Sequence, residues 1–244
     1  MLTIRHFSKA YTENKPVVEN LSFTVPAGQI TGFIGHNGAG KTTTLRCVAG
    51  ILNFTEGTIL IDGRDIHTEP VKAKQVTAFL PDNPELYDFM TGIKYLKLVA
   101  DLYRIPMQEC SAQIKEIAER YDMTGVLGSQ ISGYSHGMKQ KLALISALMR
   151  RPKLLLLDEP FVGLDPTAAF VTKEYLKEIC GRGGAVLFST HVLEVAEKLC
   201  DRVAIISHGR LVVEGPTAEV VGQESLESIF MEISSTQKEE QGHA

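Results

Sequence analysis

Two short segments of this chain carry residues whose types and spacing suit chemistry on a phosphate. The first is Gly35-His36-Asn37-Gly38-Ala39-Gly40-Lys41-Thr42, which fits the pattern G-x-x-x-x-G-K-[ST]. Glycines let a backbone turn tightly enough for successive N–H groups to converge on an anion. A helix starting behind such a loop adds partial positive charge at the same place. In this pattern Lys41 reaches the β- and γ-phosphates and the Thr42 hydroxyl coordinates Mg²⁺, so the chain is read as binding a nucleoside triphosphate. The second segment is Asp158-Glu159, a pair of carboxylates closing the apolar run Leu154-Leu155-Leu156-Leu157. Asp158 is expected to hold Mg²⁺ through water, and Glu159 to orient or deprotonate an attacking water. A phosphate loop by itself leaves kinases, GTPases, ATPases and simple binders open.

Bringing these groups together requires strands that end side by side. Ile30-Thr31-Gly32-Phe33-Ile34 reads as an apolar strand leading into the loop, and residues 43–50 as a helix leaving it. Ala185-Val186-Leu187-Phe188 and Val203-Ala204-Ile205-Ile206 join residues 154–157 as continuous apolar runs, the pattern of strands buried on both faces. Helical patterns over 168–179 and 192–199 separate them, which gives βαβ units in an α/β fold. Ligands of such sheets gather at the C-terminal strand ends, where Asp158 and Glu159 stand. Residues 2–7 and 21–25 alternate apolar and polar, as half-buried strands do, and Ile59-Leu60-Ile61 turning at Asp62-Gly63 predicts a hairpin. From 95 to 149 the period changes: Leu96, Val99, Ala100 and Tyr103, then Ile114, Ile117, Ala118 and Tyr121, recur at helical spacing. This stretch is expected to be a helical insertion. A short helical tail follows Gly215-Pro216, and residues 237–244 read as a charged, frayed end.

Composition narrows the class. The 244 residues suffice for one substantial α/β domain or two small ones, and 44% hydrophobic with 22% charged residues is ordinary for a globular chain. A net charge of -4 supplies no basic footprint, so no nucleic-acid partner is expected. Cys47, Cys110, Cys180 and Cys200 are scattered without a C-x-x-C pair, which argues against zinc or a disulfide framework and suits a reducing cytoplasm. Met1-Leu2-Thr3-Ile4-Arg5-His6 does not read as a secretory leader, and the apolar runs are too short to span a bilayer. Any membrane part is therefore expected from another chain.

With these motifs in this order, the chain resembles the nucleotide-binding subunit of an ATP-binding cassette (ABC) transporter, of the exporter type. The resemblance runs from Leu2 to about Ile233. It implies an α/β P-loop NTPase core with a mostly parallel sheet, an N-terminal antiparallel β subdomain and an inserted α-helical subdomain at about 88–149. Residues 1–233 would form a single domain and 234–244 a frayed tail. Residues 35–42 correspond to the Walker A loop, with Thr43 beside it, and residues 154–158 to the Walker B strand. Glu159 is then the catalytic glutamate, Gly163-Leu164-Asp165 the D-loop, and His191 the switch histidine that contacts the γ-phosphate. Tyr11 matches the aromatic that stacks on adenine.

The family's L-S-G-G-Q signature stands here as Tyr134-Ser135-His136-Gly137-Met138. Ser135 and Gly137 are kept, and a hydroxyl with a backbone N–H at a helix start can bind the γ-phosphate of ATP held by an opposite subunit. His136 replaces a glycine, which requires a backbone that a side chain tolerates. Asp82, in Ala78-Phe79-Leu80-Pro81-Asp82, stands where the family has its Q-loop glutamine. A carboxylate there can still meet Mg²⁺, with added negative charge near the triphosphate.

The resemblance further implies ATP and Mg²⁺ as ligands, a homodimer or paired cassette closing around MgATP, and a separately encoded transmembrane permease. The chain would sit peripherally on the cytoplasmic face of the membrane. Leu86, Tyr87, Phe89 and Met90 would either meet the permease or pack the insertion's own core. The signature variant and the tail Glu224-Ser225-Leu226-Glu227-Ser228-Ile229-Phe230 favour export. The rival readings are a soluble non-transport ABC ATPase and another P-loop NTPase; a GTPase would need N-K-x-D, and Asn14-Lys15-Pro16-Val17 lacks its Asp.

Overall fold

The computed structural model describes residues 1–12, 15–54 and 56–241. Asn14 and residues 242–244, on which two of the readings above fall, lie outside them. The chain begins β1 (Leu2–Thr12), β2 (Lys15–Val25), β3 (Ile30–Ile34), α1 (Lys41–Val48), β4 (Glu56–Ile61), β5 (Arg64–Asp65), α2 (Pro70–Gln75) and β6 (Thr77–Leu80). Three helices follow, α3 (Gly92–Leu102), α4 (Met107–Arg120) and α5 (His136–Leu148). The chain then returns to strands through β7 (Leu154–Asp158), α6 (Pro166–Gly181), β8 (Ala185–Thr190), α7 (Leu193–Leu199), β9 (Arg202–Ser207) and β10 (Arg210–Pro216). It ends in α8 (Thr217–Val221) and α9 (Leu226–Gln241), the latter passing through the first part of the stretch read as a tail.

Alternation explains why the apolar runs become strands. In β7, Leu154 and Leu156 pack into one hydrophobic layer and Leu155 and Leu157 into another on the opposite face. Ala185 and Leu187 of β8 divide from Val186 and Phe188 in the same way. These strands lie in a six-stranded sheet of order β10-β9-β3-β8-β7-β6, parallel except for β10 against β9. A sheet covered on both sides favours strands that are apolar at successive positions. One cover is α1 with the four-stranded antiparallel sheet β2-β1-β4-β5, whose Phe23 stacks on Phe33 of β3 at 5.3 Å. The other is helical, with buried residues from α3, α4, α5, α6 and α7. The fold is thus α/β with a mostly parallel sheet, an antiparallel β portion and a helical insertion between β6 and β7, as expected.

Two devices fix the insertion to the core. Leu142, Leu144 and Ile145 of α5 are fully buried. Arg150, just after α5, donates from Nη2 to the Thr77 carbonyl at 2.6 Å, while its guanidinium lies 3.3 Å from the Tyr103 ring centre at the end of α3. This single side chain straps the last turn of α3 to the first residue of β6.

Register decides what the sheet presents. Ile34 pairs with Thr190, Asp158 with Ser189, and Leu80 with Leu157. The phosphate loop, His191, Asp158-Glu159 and the Pro81-Asp82 turn therefore leave the sheet at nearly one level.

Candidate active site

The loop after β3 needs its glycines for different reasons. Gly40 has φ 106°, a conformation costly to other residues, and it sets the first turn of α1 with Lys41 as its first residue. Gly35 lies against β9, where a Cβ would come within 2.5 Å of the Ile206 carbonyl. Lys41 turns back into the loop it follows. Its side chain is buried, and Nζ donates to the carbonyls of Gly35 at 2.6 Å and His36 at 3.1 Å. Burial holds the Lys41 ammonium below its usual range, against the opposing pull of the Glu159 and Asp158 carboxylates.

Asn37, Gly38, Gly40, Lys41, Thr42, Thr43, Asp82 and Glu159 line one cleft of about 200 Å³, together with Val17 of β2. Asp82 and Glu159 come to it from segments far apart in the chain, through the strand order. Asp158 stands behind the cleft, 1% exposed. Its Oδ1 accepts from the Ser189 hydroxyl at 2.5 Å, while Oδ2 is buried and has no partner among the described residues. Such an oxygen is a costly orphan unless a cation or an ordered water meets it.

Glu159 itself is strained. Its φ of 48° is left-handed, which costs a non-glycine residue roughly 1–2 kcal/mol. Its carboxylate Oε1 accepts from Nδ1 of His191 at 2.8 Å. Because a carboxylate only accepts, the Nδ1 proton is committed to Glu159 and Nε2 is the ring nitrogen available to a ligand.

Not every residue of the expected binding set lines the cleft. Gly35 and Ala39 are packed behind it. The His36 ring lies 5.0 Å from that of His208, with Nδ1 donating to the Asn37 carbonyl and Nε2 buried without a partner among the described residues. His36 thus serves the loop through its backbone carbonyl. Tyr11 stands at the rim, 58% exposed, its hydroxyl 3.4 Å from Thr43 Oγ1.

Ser135 and Gly137 open α5, away from the cleft. The Ser135 hydroxyl caps the helix by accepting from the Met138 N–H at 3.2 Å. His136 is the first residue of α5, and its ring fills the space that a side chain on Gly163 would need. Gly137 in turn is packed against the Gly163 carbonyl, and Lys141 pairs with Asp165 at 2.7 Å. The start of α5 and residues 163–165 form one packed unit.

Two contributors escaped the sequence reading. Val17 has no local motif to mark it. Ser189 belongs to no motif, although a serine near the end of an apolar strand is a usable signal, because a buried hydroxyl must find a partner.

Comparison with known proteins agrees with this geometry. The family model for ABC transporters matches residues 18–162. The ABC transporter ATP-binding protein NatA of Bacillus subtilis (strain 168) is 34% identical over 238 residues, 95% of this chain and 97% of that protein. A solved ATP-binding subunit of an ABC transporter superposes with a TM-score of 0.91 at 31% identity, over 96% of this chain and 99% of its own. The ATP-binding cassette MJ0796, in a dimeric post-hydrolysis state bound to ADP and Pi, shares the fold with a TM-score of 0.81 at 21% identity, over 89% and 99% of the two chains. This chain belongs to the ABC transporter family, as an ATP-binding subunit whose chemistry is ATP hydrolysis.

Proposed function

We propose that this subunit pairs head to tail with a second cassette around MgATP and uses hydrolysis to drive a separately encoded permease, in the direction of export. The observation that carries the catalytic part is the Glu159 carboxylate, which lines the phosphate-loop cleft while bound to His191. Asn37, Gly38, Gly40, Lys41, Thr42 and Thr43 would hold the phosphates, with the carbonyls of Gly35 and His36 releasing Lys41 Nζ to them. Tyr11 would stack on the adenine from the rim. Glu159 would take a proton from the attacking water as its oxygen bonds to the γ-phosphorus and the bond to the β–γ bridging oxygen breaks. His191 would contact the γ-phosphate.

The residues fit Mg²⁺. Among the described residues no three His, Cys, Asp or Glu side chains converge as a cage, and Mg²⁺ is commonly held by one or two carboxylates with substrate phosphates and water. The orphaned Oδ2 of Asp158, the Thr42 hydroxyl and Asp82 on the cleft wall are the groups that would hold it. Bound there, the ion would neutralise charge on the phosphate oxygens.

Ser135 and Gly137, placed off the cleft, would bind the γ-phosphate of ATP held by the partner cassette; a cassette of the same fold, MJ0796, is dimeric with ADP and Pi bound. Of the four residues considered for the permease, Tyr87 and Phe89 are 53% and 78% exposed with rings 5.9 Å apart, while Leu86 and Met90 pack against the core. Tyr87 and Phe89 are the contacts to test. Export rests on the signature variant and on the 224–230 tail. No helix of the described residues is long and apolar enough to cross a membrane; the peripheral seat on the cytoplasmic face rests on the family likeness.

The test is light scattering on Glu159→Gln, with and without MgATP. This variant keeps the side-chain shape and removes the proton acceptor. An ATP-dependent shift from monomer to dimer, with hydrolysis lost, is expected. A chain that binds ATP and stays monomeric at all concentrations would overturn the homodimer and point to a different cassette partner.

A further inference from the structure

Ser189 joins the two carboxylates on which the proposed chemistry depends. It is the next-to-last residue of β8, fully buried, and paired across the sheet with Asp158. Its Oγ lies 2.5 Å from Asp158 Oδ1 and 3.1 Å from the backbone nitrogen of Glu159. The polarity of these bonds is forced. A carboxylate only accepts and a backbone N–H only donates, so the hydroxyl gives its one proton to Asp158 and receives the Glu159 N–H on a lone pair. The Ser189 carbonyl accepts from the same N–H at 3.2 Å.

Each bond has a directional consequence. The first ties Asp158 by Oδ1 and leaves Oδ2 as the oxygen that is buried and unpartnered. The second and third hold Glu159 at φ 48°, a backbone conformation that a non-glycine residue keeps only where its surroundings impose it. With the backbone so held, the carboxylate lines the cleft and meets His191 at 2.8 Å. Asp158 and Glu159 are sequence neighbours, and one hydroxyl sets them to different tasks.

We propose that Ser189 is a positioning residue for both carboxylates, turning Asp158 to present Oδ2 to the divalent cation of MgATP and clamping Glu159 toward the attacking water. The proposal rests on the roles given above to Asp158 and Glu159. It predicts that losing the hydroxyl damages metal binding and turnover together while leaving the grip of the phosphate loop intact.

The experiment compares the full-length chain with Ser189→Ala and Ser189→Cys, the latter keeping volume in a tightly packed strand with a poor hydrogen-bonding group. Mn²⁺ serves as the paramagnetic stand-in for Mg²⁺, and its affinity is read by electron paramagnetic resonance with a non-hydrolysable ATP analogue. Partners that orient metal ligands are commonly worth about 10–100-fold, so Mn²⁺ affinity and kcat should each fall about tenfold or more. The KM for ATP, and nucleotide affinity measured in EDTA, should stay within about twofold, because the bonds made by Lys41 are untouched. Wild-type Mn²⁺ affinity and kcat in a folded Ser189→Cys or Ser189→Ala chain would overturn the proposal. So would an equal loss of metal-free nucleotide affinity, which would mark a general structural role. If Ser189→Ala fails to fold, Ser189→Cys decides alone. Glu159→Gln, run in parallel, separates this from failure of the underlying site: a variant with full turnover there would refute the role of Glu159 itself, whatever Ser189 does.

Discussion

The cleft at the strand ends and the start of α5 are both suited to phosphate, yet they are finished to different degrees. In the cleft the chain supplies three of the reactive groups with an internal partner: Lys41 holds loop carbonyls, Glu159 holds His191, and Asp158 is tied by one oxygen to Ser189. At α5 the capping residue Ser135 and its neighbour His136 are exposed, and the packed contacts of this segment face Gly163 and Asp165 rather than the cleft. A helix start carries N–H groups without intrahelical partners, and the Ser135 cap meets that of Met138. Folding one chain therefore assembles the cleft half of the proposed site, while on that proposal the α5 half would meet a phosphate only from outside. The asymmetry is a structural reason to expect pairing, independent of any likeness.

The largest effect should come from the finished half. Lys41→Ala removes a charged donor whose hydrogen bonds to phosphate are worth about 1.5–3 kcal/mol each, and MgATP affinity by calorimetry should drop more than about 100-fold. Unchanged affinity would remove the cleft from the comparison altogether. Ser135→Ala should act on the other half only. Turnover at concentrations that permit pairing should fall about tenfold with loss of one phosphate contact, while ATP affinity of the dilute chain holds. Loss of the cap should also lower the melting temperature by about 2–4 °C. If the dilute chain itself lost ATP affinity, the α5 start would belong to the cleft of the same chain and the contrast would collapse. Tyr11→Ala should be smallest, because the ring is exposed and its stacking lies at the weak end of about 1–3 kcal/mol. About a fivefold loss in ATP affinity with weaker discrimination against GTP in competition titrations would sharpen the map of the rim. No change in either would take adenine stacking away from Tyr11.

Much of the fold was legible because its signals are local. Continuous apolar runs name strands covered on both faces, a change to helical spacing names the insertion, and the phosphate loop is a contiguous motif whose glycines act on their own backbone. What escaped depends on strand order. Ser189 acts on residues about thirty positions away, and nothing near it in sequence says that β8 lies beside β7. Val17 joins the cleft because β2 passes the loop, a fact of packing. His36 sits inside the motif, yet its ring turns to His208, a residue brought close by the β9–β10 turn. Residues 86–90 mix apolar and polar types without a helical or strand period, so the division between half-buried Leu86 and Met90 and exposed Tyr87 and Phe89 needed the three-dimensional contacts. The left-handed Glu159 was equally unannounced, since that conformation is imposed by Ser189 across the sheet.

The internal grip on Lys41 has a thermodynamic consequence. Its ammonium is already buried and already holds the Gly35 and His36 carbonyls, so a triphosphate taken up as proposed would exchange partners instead of adding them to a free side chain. The ordering entropy of the loop is met at folding, and little of it is charged to association. The heat of binding is then a difference between two sets of bonds, smaller than a sum of phosphate contacts would suggest. On the proposed role of Lys41, affinity in this chain would be governed less by how many hydrogen bonds the nucleotide makes than by how much better its oxygens hold the lysine than the loop's own carbonyls do.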